Sequence, residues 1–200
     1  MDIQGVLNKI SYGLLVLTAC EGEKDNGCII NTLQQVSDRP MQITIAVNKL
    51  NYTHDMILRT GRFNASLLTE ETPFKVFERF GLQSGREVNK FAECEGAHRA
   101  QNGVLYIPKF TNGFISGAVK QSVDLGTHTL FVADVTEAQE LSSAPSLTYA
   151  YYHEHIKPKP SAKKGWRCKI CGYVYEGEEL PADFVCPWCK HGIADFEKIV

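Results

Sequence analysis

The sequence predicts a mainly β protein in which a barrel or sandwich with a few helices is followed by a small metal-binding module. Short apolar runs rich in β-branched residues recur in the first three quarters of the chain, with glycine and asparagine turns between them. Only two segments there have the pattern of a helix. Two Cys-x-x-Cys pairs occur in the last fifth of the 200 residues. These observations favour two domains, of which the β domain is the larger.

The predicted strands are short and have one apolar side. Ile43, Ile45 and Val47 alternate with more polar neighbours, which is the period-two pattern of a half-buried strand. Five runs predict strands in this way: 14–18, 43–47, 63–68, 114–119 and 129–135.

The two predicted helices are marked by their first residues. Thr72 is expected to cap one helix, with Pro73 as its first residue, and three phenylalanines lie on one face before Gly81 ends it. The other is predicted over 51–59, with Thr53 as its cap.

Polar side chains are densest in two neighbouring segments of the β domain, 26–37 and 48–54. Carboxamides and hydroxyls on a strand can donate and accept hydrogen bonds along the edge of a flat heterocycle. Asn51, Thr53 and His54 at a helix start suit a phosphate. An ordinary polar strand followed by a capped helix is the alternative that the residues alone leave open.

The carboxyl-terminal part begins with a segment poor in apolar residues, Lys-Pro-Lys-Pro-Ser-Ala-Lys-Lys at 157–164. This composition predicts a linker, and a docking patch for an acidic partner is the alternative. The predicted organisation is therefore a β domain over 1–156, the linker over 157–164 and the metal-binding domain over 165–200.

The two Cys-x-x-Cys pairs predict a single tetrahedral metal site, because both zinc and iron accept four thiolate ligands. Six aromatic residues surround the pairs, and such an apolar shell limits water around the sulfur atoms. We therefore expect a redox-active iron, with a structural zinc as the alternative. The four predicted ligands are Cys168, Cys171, Cys186 and Cys189.

Composition and missing motifs exclude several classes. A formal net charge of −2 gives no basic footprint, so nucleic acid and anionic membranes are not expected as partners. The absence of a long apolar run and of a signal peptide predicts a cytoplasmic protein. The sequence contains no Gly-x-Gly-x-x-Gly motif, so a separate dinucleotide-binding domain is not expected. Cys20, Cys28 and Cys94 have no partner spacing, so none of them is expected to be a catalytic thiol.

The tail resembles rubredoxin in three motifs. They are Cys-x-x-Cys-Gly-Tyr-x-Tyr at 168–175, Leu-Pro-Ala-Asp-Phe-Val-Cys-Pro-x-Cys at 180–189 and Asp-Phe-Glu at 195–197. The resemblance implies one iron held by the four cysteines. Only 14 residues separate the two pairs, fewer than in free-standing rubredoxins, and Lys190 and His191 stand where the family usually has a glycine.

The first 152 or so residues resemble the flavin reductase-like split barrel. Motifs that carry the resemblance include Asn-Gly-Cys-Ile-Ile-Asn-Thr from residue 26, Gln-Val-Ser-Asp-Arg-Pro from residue 35 and Asp-Leu-Gly-Thr-His-Thr from residue 124. The resemblance implies a split β-barrel that binds FMN at a homodimer interface.

The same resemblance implies roles for individual residues. Contacts with the flavin ring and its side chain are expected from Asn31, Thr32 and Gln35, and ribityl or phosphate contacts from Ser37, Asn51 and Thr53. Cys28 and His54 are further candidates for cofactor binding. His128 is expected near the flavin and the nicotinamide, with a positioning role because hydride transfer itself needs no acid or base.

Together the two parts resemble the high-molecular-weight rubredoxins of anaerobic bacteria. This implies an NAD(P)H-dependent oxidoreductase that passes electrons from NADH through FMN to the iron. The resemblance implies a flavo-diiron (A-type flavoprotein) reductase of nitric oxide or dioxygen as the acceptor. One alternative is an NAD(P)H:flavin reductase with a zinc-containing tail, and another is a carrier of FMN and iron that another protein reduces. The sequence does not distinguish between NADH and NADPH as the donor, or between FMN and FAD as the flavin.

Overall fold

The computed structural model describes residues 3–7, 9–92, 94, 96–158, 164–169, 172–188 and 191–199. The chain divides into two compact units, Met1–Ile156 and Lys157–Val200. Most of the predicted linker, residues 159–163, lies outside the described residues. None of the helices in the described part is long and apolar enough to cross a membrane.

In the part of the chain that the structure describes, the larger unit contains nine strands and a few short helices. Its strands are β1 Leu15–Glu21, β2 Lys24–Ile30, β3 Gln34–Asp38, β4 Met41–Asn48, β5 Arg62–Leu68, β6 His98–Arg99, β7 Leu105–Tyr106, β8 Thr111–Asp124 and β9 His128–Glu140. Its helices are α1 Ile3–Leu7, α2 Tyr52–Thr60, α3 Phe74–Gly81, α4 Tyr149–Tyr151 and a π-helical turn, Tyr152–Ile156.

Seven of the strands form one antiparallel sheet in the order β2-β1-β5-β8-β9-β4-β3. Strands β2 and β3 lie at opposite edges, yet only residues 31–33 connect them. At the usual strand spacing of about 4.8 Å, the edges of a flat sheet of this size would be about 29 Å apart. The link spans at most about 14 Å when fully extended. The sheet must therefore curl into a barrel that is split at residues 31–33, which confirms the predicted mainly β barrel.

Buried and half-buried residues alternate along strands β4 and β9, so one side of these strands faces the inside of the barrel and the other faces outward. Ile43, Ile45 and Val47 are buried, as predicted, and pack in one core with Phe131 of β9 and Met56 of α2. Burying these apolar side chains is the main favourable contribution to the barrel's stability.

Neither helix begins with the predicted cap: the cap of α2 lies two residues before the predicted one, and the cap of α3 lies one residue after it. Asn51, not Thr53, is the N-cap of α2. Pro73 is the N-cap of α3, so it precedes the first helical residue, and the Thr72 hydroxyl donates to the carbonyl of Thr69 instead of capping. The two predicted caps were wrong because a buried hydroxyl bonds to whichever polar group the folded chain brings next to it, and local sequence does not specify that group: Thr72 donates to Thr69, and Thr53 accepts from Asn26.

The smaller unit contains a three-stranded antiparallel sheet in the order β11-β10-β12. These strands are β10 Gly165–Cys168, β11 Val174–Tyr175 and β12 Phe196–Ile199, and a 3₁₀ turn, Ile193–Asp195, precedes β12. Cys168, Cys186 and Phe196 are buried at its centre, among partly buried aromatic side chains.

Candidate cofactor face and candidate metal centre

The outer surface of strands β4 and β9 is only half-buried and has a defined chemical pattern. Cross-strand pairs there are Thr44 with Val132, Ala46 with Leu130, and Asn48 with His128. We call these six residues the β4–β9 face. Ala46, Leu130 and Val132 make its centre and one side apolar, Thr44 adds a hydroxyl beside them, and the Asn48–His128 pair makes one end polar, which is the lining expected for a flat aromatic ring with hydrogen-bonding edges.

The split of the barrel borders this face at Ala46. The Thr32 hydroxyl donates to the Ala46 carbonyl at 2.7 Å and accepts from the Ala46 amide at 3.1 Å. Asn31, half-buried, precedes it at the same border. The Thr32 hydroxyl is thus bonded to β4 through its proton and one lone pair, and the contact expected between Thr32 and the flavin stays a prediction.

The register of β3 places two neighbouring glutamines on opposite sides of the sheet. Gln34 lies opposite Thr44 of the β4–β9 face, whereas Gln35 lies opposite the buried Ile43. Directly opposed residues of an antiparallel pair point to the same side of the sheet. The side chain of Gln35 therefore points away from the β4–β9 face, towards Met41, whose sulfur is 3.1 Å from Gln35 Nε2. Gln34, and not Gln35, therefore lies on the side of the β4–β9 face, and the expected contact between Gln35 and the flavin stays a prediction.

The opposite border of the face is formed by the hairpin before β9 and the start of α2. His128 Nδ1 is 2.9 Å from the Thr127 hydroxyl, and the Lys49 amide donates to the Thr127 carbonyl at 3.0 Å. The Asn51 amide donates to the Asn48 carbonyl at 3.0 Å, and its side chain makes no capping hydrogen bond. The His54 amide donates to the Asn51 carbonyl at 3.0 Å, and the positive end of the helix dipole at this start favours an anion. Ser37, half-buried, lies opposite Gln42 on the same side of the sheet.

Three of the predicted cofactor ligands are buried. Cys28, Thr53 and His54 are 4%, 0% and 5% exposed. Thr53 accepts a hydrogen bond from Asn26 Nδ2 at 3.0 Å, and both ring nitrogens of His54 have protein partners at 2.9 Å. Burial also raises the pKa of the Cys28 thiol. These three side chains therefore lie beneath the surface, and direct contact with a surface-bound cofactor is not expected of them.

The apolar centre of the face was missed by the sequence analysis. Ala46, Leu130 and Val132 carry no functional group, so no motif marked them. The signal that could have found them is the strand period, because they alternate with the buried residues of β4 and β9.

In the smaller unit, the described cysteines lie in two turns closed by backbone hydrogen bonds. The Cys168 amide donates to the Tyr173 carbonyl at 2.8 Å, and the Gly172 amide donates to the Cys168 carbonyl at 2.8 Å. The Cys186 amide donates to the His191 carbonyl at 2.9 Å. The second turn therefore closes with a histidine at position 191. The other two predicted ligands, Cys171 and Cys189, lie outside the described residues.

An aromatic shell surrounds these sulfur atoms. Cys168 and Cys186 are 1% and 0% exposed and belong to one core. The rings of Tyr173 and Trp188 are 5.5 Å apart, and Phe184 packs edge-on against Phe196 at 5.5 Å. Buried soft ligands in a shell that excludes water fit a thiolate-bound metal ion.

Comparisons with known proteins agree with both halves. The model of the flavin reductase like domain matches residues 7–159, and that of the rubrerythrin, rubredoxin-like domain matches residues 166–197. The high molecular weight rubredoxin of Moorella thermoacetica is 33% identical over 96% of this chain and 98% of its own length. A ferric-chelate reductase (NAD(P)H) of Archaeoglobus fulgidus is 37% identical over 80% of this chain and 93% of its own. The structure of an NADH:FAD oxidoreductase of Streptomyces globisporus superposes with a TM-score of 0.64 at 21% identity, over 73% of this chain and 86% of that one, which shows a shared fold.

Proposed function

The chain belongs to the flavin reductase-like family, with a rubredoxin-like domain at its carboxyl end, and we propose that it transfers electrons from NAD(P)H through bound FMN to one iron. The observation that supports this most is the joining of both domains in one chain, in the arrangement of a high molecular weight rubredoxin aligned over nearly its full length. It is an oxidoreductase in this proposal, and not a passive carrier.

The electron count explains why both cofactors are needed. NADH delivers a hydride, which carries two electrons, whereas a single iron accepts one electron at a time. A flavin, when bound, supplies the conversion between the two. The two electrons from each NADH would therefore reach the iron one at a time, with the external acceptor taking the first from the iron before the second arrives; the proton of the hydride would go to water, and NAD⁺ leaves.

The residues of the β4–β9 face would hold and orient the flavin. Its apolar centre would cover the ring, while Asn31 and Gln34 would bond to the ring edge. Ser37 and Asn51 would meet the ribityl chain and phosphate, with the start of α2 favouring the negative charge. His128 would position the nicotinamide at the polar end of the face, without transferring a proton.

The four predicted thiolates would hold the iron. Cys168 and Cys186 would bind from within the aromatic core, and Cys171 and Cys189 complete the predicted set. The limited access of water to this core is one of the factors that set the reduction potential of such a site.

The acceptor of the electrons follows from the resemblance alone. We propose a redox protein such as a flavo-diiron (A-type flavoprotein) reductase of nitric oxide or dioxygen. From the same resemblance we propose that two copies of the chain form a homodimer and that it works in the cytoplasm of an anaerobe.

A second candidate function is the reduction of a small acceptor by the barrel, with zinc in the tail. The ferric-chelate reductase relative favours it, because 93% of that protein aligns with this chain. Metal analysis of protein produced without excess zinc separates the two candidates, since iron in the tail is required only by the first.

The proposed function is tested by visible absorption spectra recorded before and after anaerobic addition of NADH or NADPH. We expect bands of oxidised flavin and of ferric thiolate to bleach together. A chain that holds iron and flavin but stays oxidised would instead be a carrier reduced by another protein, and the proposal would be rejected.

A further inference from the structure

A line of four hydrogen-bonded side chains connects the first residues of β9 to helix α2 and the surface. Thr129 Oγ1 is 2.9 Å from His54 Nε2, and His54 Nδ1 is 2.9 Å from Asp55 Oδ1. Arg86 donates to the other oxygen of Asp55 at 2.6 Å. Thr129 is 6% exposed, so the inner end of this relay is buried. We call these four residues the His54 relay.

The Asp55 carboxylate determines which ring nitrogen of His54 carries a proton. Burial by itself would raise the pKa of Asp55, but hydrogen bonds from Arg86 and His54 outweigh it and lower that pKa. Asp55 is therefore ionised at neutral pH and can only accept, so His54 Nδ1 must carry a proton. In the neutral ring, Nε2 then accepts from the Thr129 hydroxyl. His54 is thus held at both nitrogens, and Phe131 packs against its ring at 5.8 Å.

The relay acts next to the polar end of the β4–β9 face. Successive side chains of a strand point to opposite sides of the sheet. Thr129 points inward to His54, so its neighbour His128 points outward onto the face. Fixing the Thr129 side chain constrains the backbone at the start of β9, and with it the direction in which the side chain of His128 leaves the strand, while Thr127 bonds to the His128 ring.

We propose that His54 is a positioning residue, which holds His128 in place through Thr129 and is not itself a phosphate ligand. The inference rests on the proposed function, because it assigns His54 a part in presenting His128 to the nicotinamide. A buried histidine that only stabilises the fold would affect unfolding but would have no separate effect on the reaction with NADH.

The test compares Thr129→Val, which removes the hydroxyl at nearly constant volume, with Thr129→Ser, which keeps it. In the full-length holoprotein we expect Thr129→Val to lower kcat/KM for NADH by about tenfold, since misplacements near 1 Å can cost up to about 100-fold. Flavin affinity should change by less than about twofold, because the hydroxyl points inward, and Thr129→Ser should restore kcat/KM.

The decisive arm repeats the substitution in a His128→Ala background. If the relay acts through His128, Thr129→Val should cause no further loss of kcat/KM there, although it should still lower the urea midpoint. An equal tenfold loss in both backgrounds would overturn the inference and leave a structural role only.

Histidine NMR spectra of the full-length protein without nicotinamide provide a measurement that does not need turnover. We expect Thr129→Val, but not Thr129→Ser, to shift the ring resonances of His128. Unshifted resonances would refute the positioning role. If His128 shifts but NADH reduces no flavin in the wild type, the proposed function fails while the positioning inference stands.

Discussion

Replacing Thr32 by valine tests the hydrogen bonds that hold the split of the barrel. Valine has nearly the same shape as threonine but cannot bond to the amide and carbonyl of Ala46. Both groups belong to β4, next to the proposed flavin ring. The substitution therefore perturbs the point where the fold and the candidate site meet.

The expected loss of stability follows from the two bonds. Each hydrogen bond contributes about 0.5–1.5 kcal/mol net, so their loss should cost about 1–3 kcal/mol of unfolding free energy. Because the site is half-buried, water can partly replace the hydroxyl, which favours the lower end. For a domain of this size, the corresponding decrease in Tm is about 2–12 °C.

The assay can separate the two units of the chain. Both tryptophans, Trp166 and Trp188, lie in the smaller unit, so their fluorescence reports its unfolding. Far-UV circular dichroism reports mainly the larger unit. Thr32→Val should lower the urea midpoint of the dichroism signal and leave that of the fluorescence unchanged, and Thr32→Ser should resemble the wild type. Equal dichroism midpoints for the valine and serine variants would refute the role assigned to the hydroxyl.

Three further predictions concern the cofactors and one buried lysine. Cys186→Ser should abolish the iron absorption and leave flavin bound and reducible by NADH; loss of both cofactors would contradict the division into independent domains. Gln34→Ala should weaken flavin binding by roughly tenfold, about 1.4 kcal/mol, whereas Gln35→Ala should leave it unchanged. Fluorescence titration of both variants with flavin measures the two affinities, and a larger loss for Gln35→Ala would place the flavin on the other side of β3. Burial lowers the pKa of Lys90 below its ordinary value of 10.5, so the unfolded chain holds more protons between the two pKa values and stability rises with pH in that window. Urea midpoints of Lys90→Met against wild type from about pH 8 to pH 11 should show this rise only in the wild type; parallel curves would rule it out.

The strands and the metal-binding motifs could be predicted because their signals are local. The alternation of Ile43, Ile45 and Val47 is visible in the sequence and reappears as the buried side of β4. Both described metal-ligand candidates, Cys168 and Cys186, are buried among aromatic residues, as the composition of the tail indicated. Local patterns of this kind survive folding because they depend on the strand period and on close spacing.

The choice between adjacent residues could not be predicted, because it depends on pairing between distant segments. A shift of one residue in register moves every side chain of a strand to the other side of the sheet. The bulge between Gln35 and Ser37 sets this register, and nothing in β3 alone reveals it. Likewise, Thr53 and His54 at a helix start resembled phosphate ligands, but α2 turns both of them inward.

The fusion of the two domains affects the rate of electron transfer from flavin to iron, because a hydride carries two electrons and the iron accepts one at a time. Two one-electron transfers must follow each hydride, so a free iron protein would have to bind, leave and return before the flavin could accept another hydride. A predicted linker of eight residues, 157–164, spans about 25 Å when extended and gives a millimolar effective concentration of one domain near the other. The second transfer then needs no second encounter, provided that the iron passes its electron on in between. Since the flavin-to-iron step is then confined to one tethered molecule, turnover per molecule at fixed NADH and acceptor concentrations should not change when the protein is diluted, and a turnover that falls on dilution would contradict transfer within the tethered chain.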